Sequence, residues 1–219
     1  MASVYDKMTA LADVIRGKSG ATGKLSLDGM TSAVESIVAG GGGALTSVVD
    51  NSVTSLSASD LDGIEEIRSY AFYGCSNLTS VGLPDTLESI GTYAFYNCSK
   101  LKDIVLPSGL TSLGARSFYG CKALEKMVIP EGVTSIPIYC FYGCSNLKTL
   151  ILVGDTLKPL ANVNALNGTV FLDQSGDHPI YIATINADVD ELVAAYREAT
   201  NWADYETPFA PISEYEGEW

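Results

Sequence analysis

The side chains with distinctive chemistry in this chain are five cysteines, one histidine, twelve tyrosines and several clustered carboxylates. Cys75, Cys98, Cys121 and Cys144 follow one another at intervals of 23 residues. That spacing points to a structural period, not to a disulfide framework or a thiolate metal centre. Zinc sites need closely paired Cys or His ligands, and the single histidine, His178, stands alone before Pro179. The fifth thiol, Cys140, occupies a column filled elsewhere by Ala71, Ala94 and Ser117, where it reads as a small apolar filler. No metal or cofactor is expected. Hydrolase, phosphate-loop and paired-histidine motifs are absent from the sequence, which argues against an enzyme. Asp62, Glu65 and Glu66 form one carboxylate cluster and Asp188, Asp190 and Glu191 another. Both read as solvated faces, with a weak calcium site as the alternative.

The strongest candidates for binding are aromatic. Tyr73, Tyr96, Tyr119 and Tyr142 share one 23-residue column, and Tyr70, Tyr93 and Tyr139 share another, completed by Arg116. If the segment from Gly91 to Cys98 and its equivalents are helical turns, residues three apart lie on one face. The two columns then line one edge of the molecule. A planar apolar ring with a hydroxyl suits sugars and protein partners alike. The competing reading is that tyrosines stack on one another and merely stiffen the turn.

The elements that position these residues follow from the period. The words Phe72-Tyr73-Gly74-Cys75, Phe95-Tyr96-Asn97-Cys98, Phe118-Tyr119-Gly120-Cys121 and Phe141-Tyr142-Gly143-Cys144 recur in strict register. A fixed period of this size marks a solenoid. After each word comes an alternating run (80–83, 103–106, 126–129 and 149–152) that reads as a strand, closed by Pro84, Pro107 and Pro130 in three copies. A second aliphatic pair follows, Leu87 with Ile90, Leu110 with Leu113 and Val133 with Ile136. Each unit is thus one coil with two short extended pieces and two turns. A single coil cannot bury its apolar side, so coils stack with parallel strands about 4.8 Å apart. Phe72, Phe95, Phe118 and Phe141 are expected to form one interior ladder, and the period-spaced cysteines another.

Units reading aliphatic-Gly-x-x-Ala-Phe-x-Gly-Cys-x-x-Leu, then a strand and Pro, resemble the BspA-like leucine-rich repeats over residues 60–160. The resemblance implies a right-handed leucine-rich-repeat solenoid, α+β in class with mostly short parallel strands and no long helices within the repeats. It also implies surface adhesion and recognition in place of catalysis.

The ends of the chain differ from its middle. Residues 1–39 read as a helical hairpin, with Met8, Leu11 and Ile15 on one apolar face and Met30, Val34 and Ile37 on the other. Residues 40–44 contain four consecutive glycines, a flexible linker. The words Leu11-Ala12-Asp13-Val14-Ile15-Arg16-Gly17-Lys18 and Leu25-Ser26-Leu27-Asp28-Gly29-Met30 resemble the N-terminal module of phage and prophage tail-associated proteins. That resemblance implies attachment to tail or virion proteins and a homo-oligomer. A plain hairpin that caps or oligomerises is the alternative. Residues 45–66 read as an N-terminal cap and 67–160 as the solenoid. Residues 161–203 read as a C-terminal cap with strands near 169–172 and 179–182 and a capping helix over 189–199. The remaining 204–219 form an acidic, loosely held tail whose Phe209, Tyr215 and Trp219 are free to dock on a neighbour.

Charge narrows the partners. The chain carries 26 acidic and 13 basic residues, a net charge of −13, and residues 1–43 contribute none of the excess. Such a surface repels phosphate backbones and anionic membranes, so neither nucleic acid nor membrane is an expected partner. The first twenty residues lack an apolar secretory core, because Asp6, Asp13 and Arg16 interrupt them. The expected function is that of a non-enzymatic phage or prophage tail component. Its solenoid recognises a host-surface glycan or protein, with a virion (tail) or bacterial-surface location. The alternatives are a purely structural virion subunit, in which the tyrosine strip packs on neighbours, and a bacterial cell-surface adhesin.

Overall fold

The computed structural model of the protein describes residues 53–169, 171, 179–202 and 209–216. The helical hairpin with Met8, Leu11, Ile15, Met30, Val34 and Ile37, the glycine linker, residues 45–52 of the expected N-terminal cap, His178 and Trp219 lie outside these residues, as do residues 170 and 172 of the strand expected at 169–172.

Within the described residues the chain coils with short parallel strands in three sheets. β1 (Ser55–Leu56), β3 (Ser80–Val81) and β5 (Asp103–Ile104) form the first, in register Ser55 to Ser80 to Asp103. β2 (Glu66–Ile67), β4 (Ser89–Ile90) and β6 (Ser112–Leu113) form the second. The first column continues one period on as β7 (Lys126–Ile129) and β8 (Thr149–Val153), which pair in parallel. β9 (Ile180–Ala183) and β10 (Phe209–Pro211) extend this sheet.

Repetition of residue type makes the core. Phe72, Phe95, Phe118 and Phe141 are all buried, and successive rings lie 4.9, 5.3 and 5.5 Å apart within 10° of parallel. Beside them the thiols staple coil to coil. Cys98 Sγ donates to the Phe72 carbonyl at 3.0 Å, Cys121 Sγ to Phe95 at 3.2 Å and Cys144 Sγ to Phe118 at 3.1 Å. All five cysteines are buried and none forms a disulfide, and Cys140 Sγ lies 3.2 Å from the Ser117 hydroxyl in its own column. The coils approach so closely that a Cβ on Gly114 would fall onto the backbone of Gly91. Glycine is required there by space.

The far end is closed by the expected helix and by a polar network around Lys158 that the sequence did not announce. Helix α1 (Val189–Glu198) starts at Asp188, whose carboxylate accepts from the Asp190 and Glu191 amides. Its Tyr196 packs against Trp202 and Phe209. The Lys158 amide donates to Tyr196 Oη at 2.7 Å, and Trp202 Nε1 donates to the Lys158 carbonyl at 2.7 Å. The Lys158 ammonium, almost fully buried, donates to the carbonyls of Glu131 and Val133 at 3.0 and 2.7 Å. A lysine reads from sequence as surface, but here it satisfies backbone oxygens of the last regular coil. Burial pulls its pKa below the ordinary range, against the opposing charge of Glu131.

Two expectations are corrected. Residues 204–219 are not wholly a loose tail: 209–211 add an edge strand, Phe209 is buried, and Tyr215 lies 4.9 Å from Tyr181 with Lys126 over its ring. The apolar Phe209 and Ala210 supply the burial that holds this short acidic stretch. The Tyr-bearing segments, in turn, are not helical turns, because left-handed residues such as Tyr93 and Asn97 interrupt them.

The thiol ladder sets a pH limit. Burial pushes the thiols of Cys98, Cys121 and Cys144 well above the ordinary range, and that of Cys140 to about 12. The folded chain therefore keeps protons that the unfolded chain releases above a thiol pKa of about 8.5. The contribution is fully present below that pH and is lost as pH rises towards the folded values, at up to about 1.4 kcal/mol per pH unit for each thiol. Urea unfolding measured from pH 7 to pH 10.5 should show stability falling above about pH 8.5. The fall should be shallower in the Cys98→Ala/Cys121→Ala variant. A stability curve flat to pH 10.5 would contradict buried thiols.

Candidate functional site: a two-column tyrosine strip

Each coil turns through a run of tight reversals, and the hydrogen bonds of two of them locate the tyrosines. In the second full unit the Ala94 amide donates to the Gly91 carbonyl and the Cys98 amide donates to the Phe95 carbonyl. The third residue of each reversal has positive φ, +58° at Tyr93 and +57° at Asn97. This is the type II geometry, which calls for Gly or Asn at that position. The later reversal obeys the rule throughout, with Gly74, Asn97, Gly120 and Gly143. The earlier one breaks it in every unit. Tyr70, Tyr93, Arg116 and Tyr139 all hold left-handed backbone, with φ from +57° to +66°. A bulky residue there costs about 1–2 kcal/mol. The alternation of left-handed residues also explains why no helical turn forms.

The rings meet in register along the stack. Tyr73, Tyr96, Tyr119 and Tyr142 lie 4.8, 4.7 and 4.8 Å apart, near parallel. In the strained column Tyr70 stacks on Tyr93 at 5.0 Å. The Arg116 guanidinium then sits 5.4 Å from the Tyr93 ring centre and 4.5 Å from that of Tyr139. The columns touch laterally, Tyr70 to Tyr73 at 5.8 Å, Tyr93 to Tyr96 at 5.4 Å and Tyr139 to Tyr142 at 5.6 Å. All eight side chains thus join one continuous surface. Tyr70 and Tyr73 are exposed, at 48% and 39%, and the other six are half-buried.

Stacking decides what this surface presents. Rings under 5 Å apart and parallel cover each other's faces, so interior members show solvent their edges and hydroxyls. Burial against neighbouring rings raises the Tyr96 pKa above its ordinary value, the surrounding phenols Tyr119, Tyr73 and Tyr93 add to the rise, and Arg116 opposes it. The Tyr96 phenol is therefore a neutral hydrogen-bonding group near neutral pH. Among the described residues no group of three or more His, Cys, Asp or Glu side chains is placed to hold a metal ion.

The repeat word, its register and the two-turn coil are the marks of a defined family. The model of the BspA type leucine-rich repeat region, in six copies, matches residues 62–171, half of the chain. The chain belongs to the BspA-type leucine-rich repeat family. Its repeats are similar to those of a solved T. pallidum leucine-rich repeat protein, at 29% identity over 55% of this chain and 53% of that one, with a TM-score of 0.46. A leucine-rich cell surface protein of Faecalibacterium prausnitzii is 28% identical over 67% of this chain and 33% of its own, with a TM-score of 0.48. The pneumococcal vaccine antigen PcpA is 18% identical over 75% and 40%, with a TM-score of 0.48. The BspA-type chain thus spans about half or less of the length of these proteins. No curated protein matches it. The family match leaves residues 1–43, with their resemblance to a tail-associated module, outside its span.

Sequence reasoning found the BspA-type columns but missed their backbone. Nothing in a Tyr announces positive φ, and the only signal was the Gly/Asn column four residues later. The left-handed position makes a sharp prediction about stability. Tyr93→Ala should be less stable than Tyr93→Gly by about 1 kcal/mol in urea unfolding, the reverse of the usual order. Ala more stable than Gly would mean Tyr93 is not left-handed.

Proposed function

We propose that this chain is a non-enzymatic recognition module of a surface-associated protein, with the tyrosine strip as its binding edge. The observation that carries the reading is the strained column. Four successive units hold Tyr or Arg where Gly or Asn would sit without strain. Strain that recurs at one surface position points to use of the side chain there. Ring stacking returns about 0.5–1.5 kcal/mol per pair, which explains how the strain is tolerated. It does not require the hydroxyls. Eight contiguous aromatic and guanidinium groups on one edge also have the composition of binding surfaces, which are rich in Tyr and Arg.

The family resemblance supports adhesion and recognition over catalysis, and the partner is a host-surface protein or glycan. The tail-component reading and its homo-oligomer rest on residues 4–38, outside the described residues, and no structural observation favours them over the surface reading. The purely structural reading needs the strip only for stacking.

Phenylalanine separates recognition from stacking, because it keeps the rings and removes the hydroxyls. Fluorescently labelled full chain and its Tyr73→Phe/Tyr96→Phe/Tyr119→Phe variant should be titrated onto epithelial and bacterial cells. The expected outcome is unchanged thermal stability with binding weaker by about tenfold or more, as hydrogen bonds worth roughly 1 kcal/mol each are lost. Undiminished binding by the variant, or no binding by the parent, would leave the strip as scaffold.

A further inference from the structure

We propose that Arg116 is a preformed carboxylate-recognition point within the tyrosine strip, and that the strip's ligand is a glycan carrying an acidic sugar. The inference rests on reading the strip as a binding edge and names the chemistry of what it binds.

Arg116 is the one cation in the strip. Its guanidinium is held between the rings of Tyr93 and Tyr139, 5.4 and 4.5 Å from their centres. A guanidinium stacked on ring faces keeps its N–H edge for partners in its own plane, and that edge matches a carboxylate with two parallel hydrogen bonds. Among the described residues no carboxylate pairs with Arg116 and no acceptor takes a hydrogen bond from its side chain. The chain has 26 acidic residues for 13 basic ones, so an internal partner is not lacking for want of acids. The position is also strained, with φ at +57°.

The surroundings of that cation select the rest of the ligand. Tyr96 and Tyr119 stand in the adjacent column, stacked at 4.7 Å, and present hydroxyls along the stack, not open ring faces. A neutral sugar that needs a bare aromatic platform finds the interior faces taken. A polyanion or acid-rich peptide meets one fixed positive charge on a chain of net charge −13 and is repelled by the remainder. The complement of one guanidinium among phenol hydroxyls is one carboxylate among many hydroxyls, which is an acidic sugar in an otherwise neutral glycan.

The test uses the full chain with four probes: sialyllactose, glucuronic acid, lactose, and a short glutamate peptide. Binding is read from chemical shifts of the Arg116 Nε–Hε group and from dissociation constants at low and high salt. At least one acidic sugar should bind about tenfold more tightly than lactose, a preference weakened by salt. Arg116→Gln should abolish the preference and Arg116→Lys, which keeps charge without the planar fork, should retain part of it. Both variants should stay folded, with Arg116→Gln melting slightly below the parent as the stacked guanidinium is lost. Equal binding of acidic sugars and lactose, or an acidic preference that survives in Arg116→Gln, overturns the proposal and leaves the strip as a recognition edge. Binding of the glutamate peptide alone, shifted at Arg116, overturns the glycan assignment. Absence of binding by every probe overturns the proposal too. The cell titration with the phenylalanine variant decides the underlying reading separately.

Discussion

The hydrogen bonds that run from each turn to the next coil hold everything else in place. The Phe72 amide donates to Ala94, Phe95 to Ser117, Phe118 to Cys140 and Phe141 to Ala165, at 2.7–3.0 Å. Each bond joins residues one coil apart and fixes the register of the whole turn. A forward slip of one residue would carry each buried Phe to the partly exposed position its Tyr neighbour now holds and break both ladders. With the register set, Phe stacks on Phe, thiol reaches carbonyl, and Tyr stacks on Tyr without further specification. This is why one short word, repeated, specifies both a core and a surface.

Core and surface of the strip differ in what their stacking accomplishes. The phenylalanine ladder removes apolar area from water and needs no other role. The tyrosine columns stay at the boundary, partly wet, and the column of Tyr70, Tyr93, Arg116 and Tyr139 is built on left-handed backbone that its residues disfavour. The thiols belong to the first category. Burial of Cys98, Cys121 and Cys144 suppresses thiolate, the nucleophilic form, and each thiol donates a hydrogen bond to a carbonyl of the preceding coil. The proposed recognition role therefore rests on phenol hydroxyls and one guanidinium.

Much of this was legible in the residues. The 23-residue spacing of Cys75, Cys98, Cys121 and Cys144 exposes the period, and alternation in 80–83 and its equivalents exposes the strands. The columns of Tyr and the place of Arg116 among them follow from the same alignment. Other features were hidden for physical reasons. Positive φ at Tyr93 is imposed by the reversal and the coil above it, whereas tyrosine itself carries no such preference. Lys158 reads as solvent-facing because its carbonyl partners, Glu131 and Val133, lie in the preceding coil. Phe209–Pro211 is too short and too flanked by acids to read as a strand, and it becomes one because β9 leaves an edge for it to pair with.

The central claim is that the register places the strip at an accessible edge of the folded chain. Mild iodination of the intact, folded full-length protein, read residue by residue by mass spectrometry, tests it most directly. The account predicts that Tyr70 and Tyr73 react first, that Tyr96, Tyr119 and Tyr142 follow, and that Tyr196, buried in the terminal cap, stays protected. Protection of the strip to the level of Tyr196 would contradict the account, because the edge would then be covered within the protein or by a second copy of it.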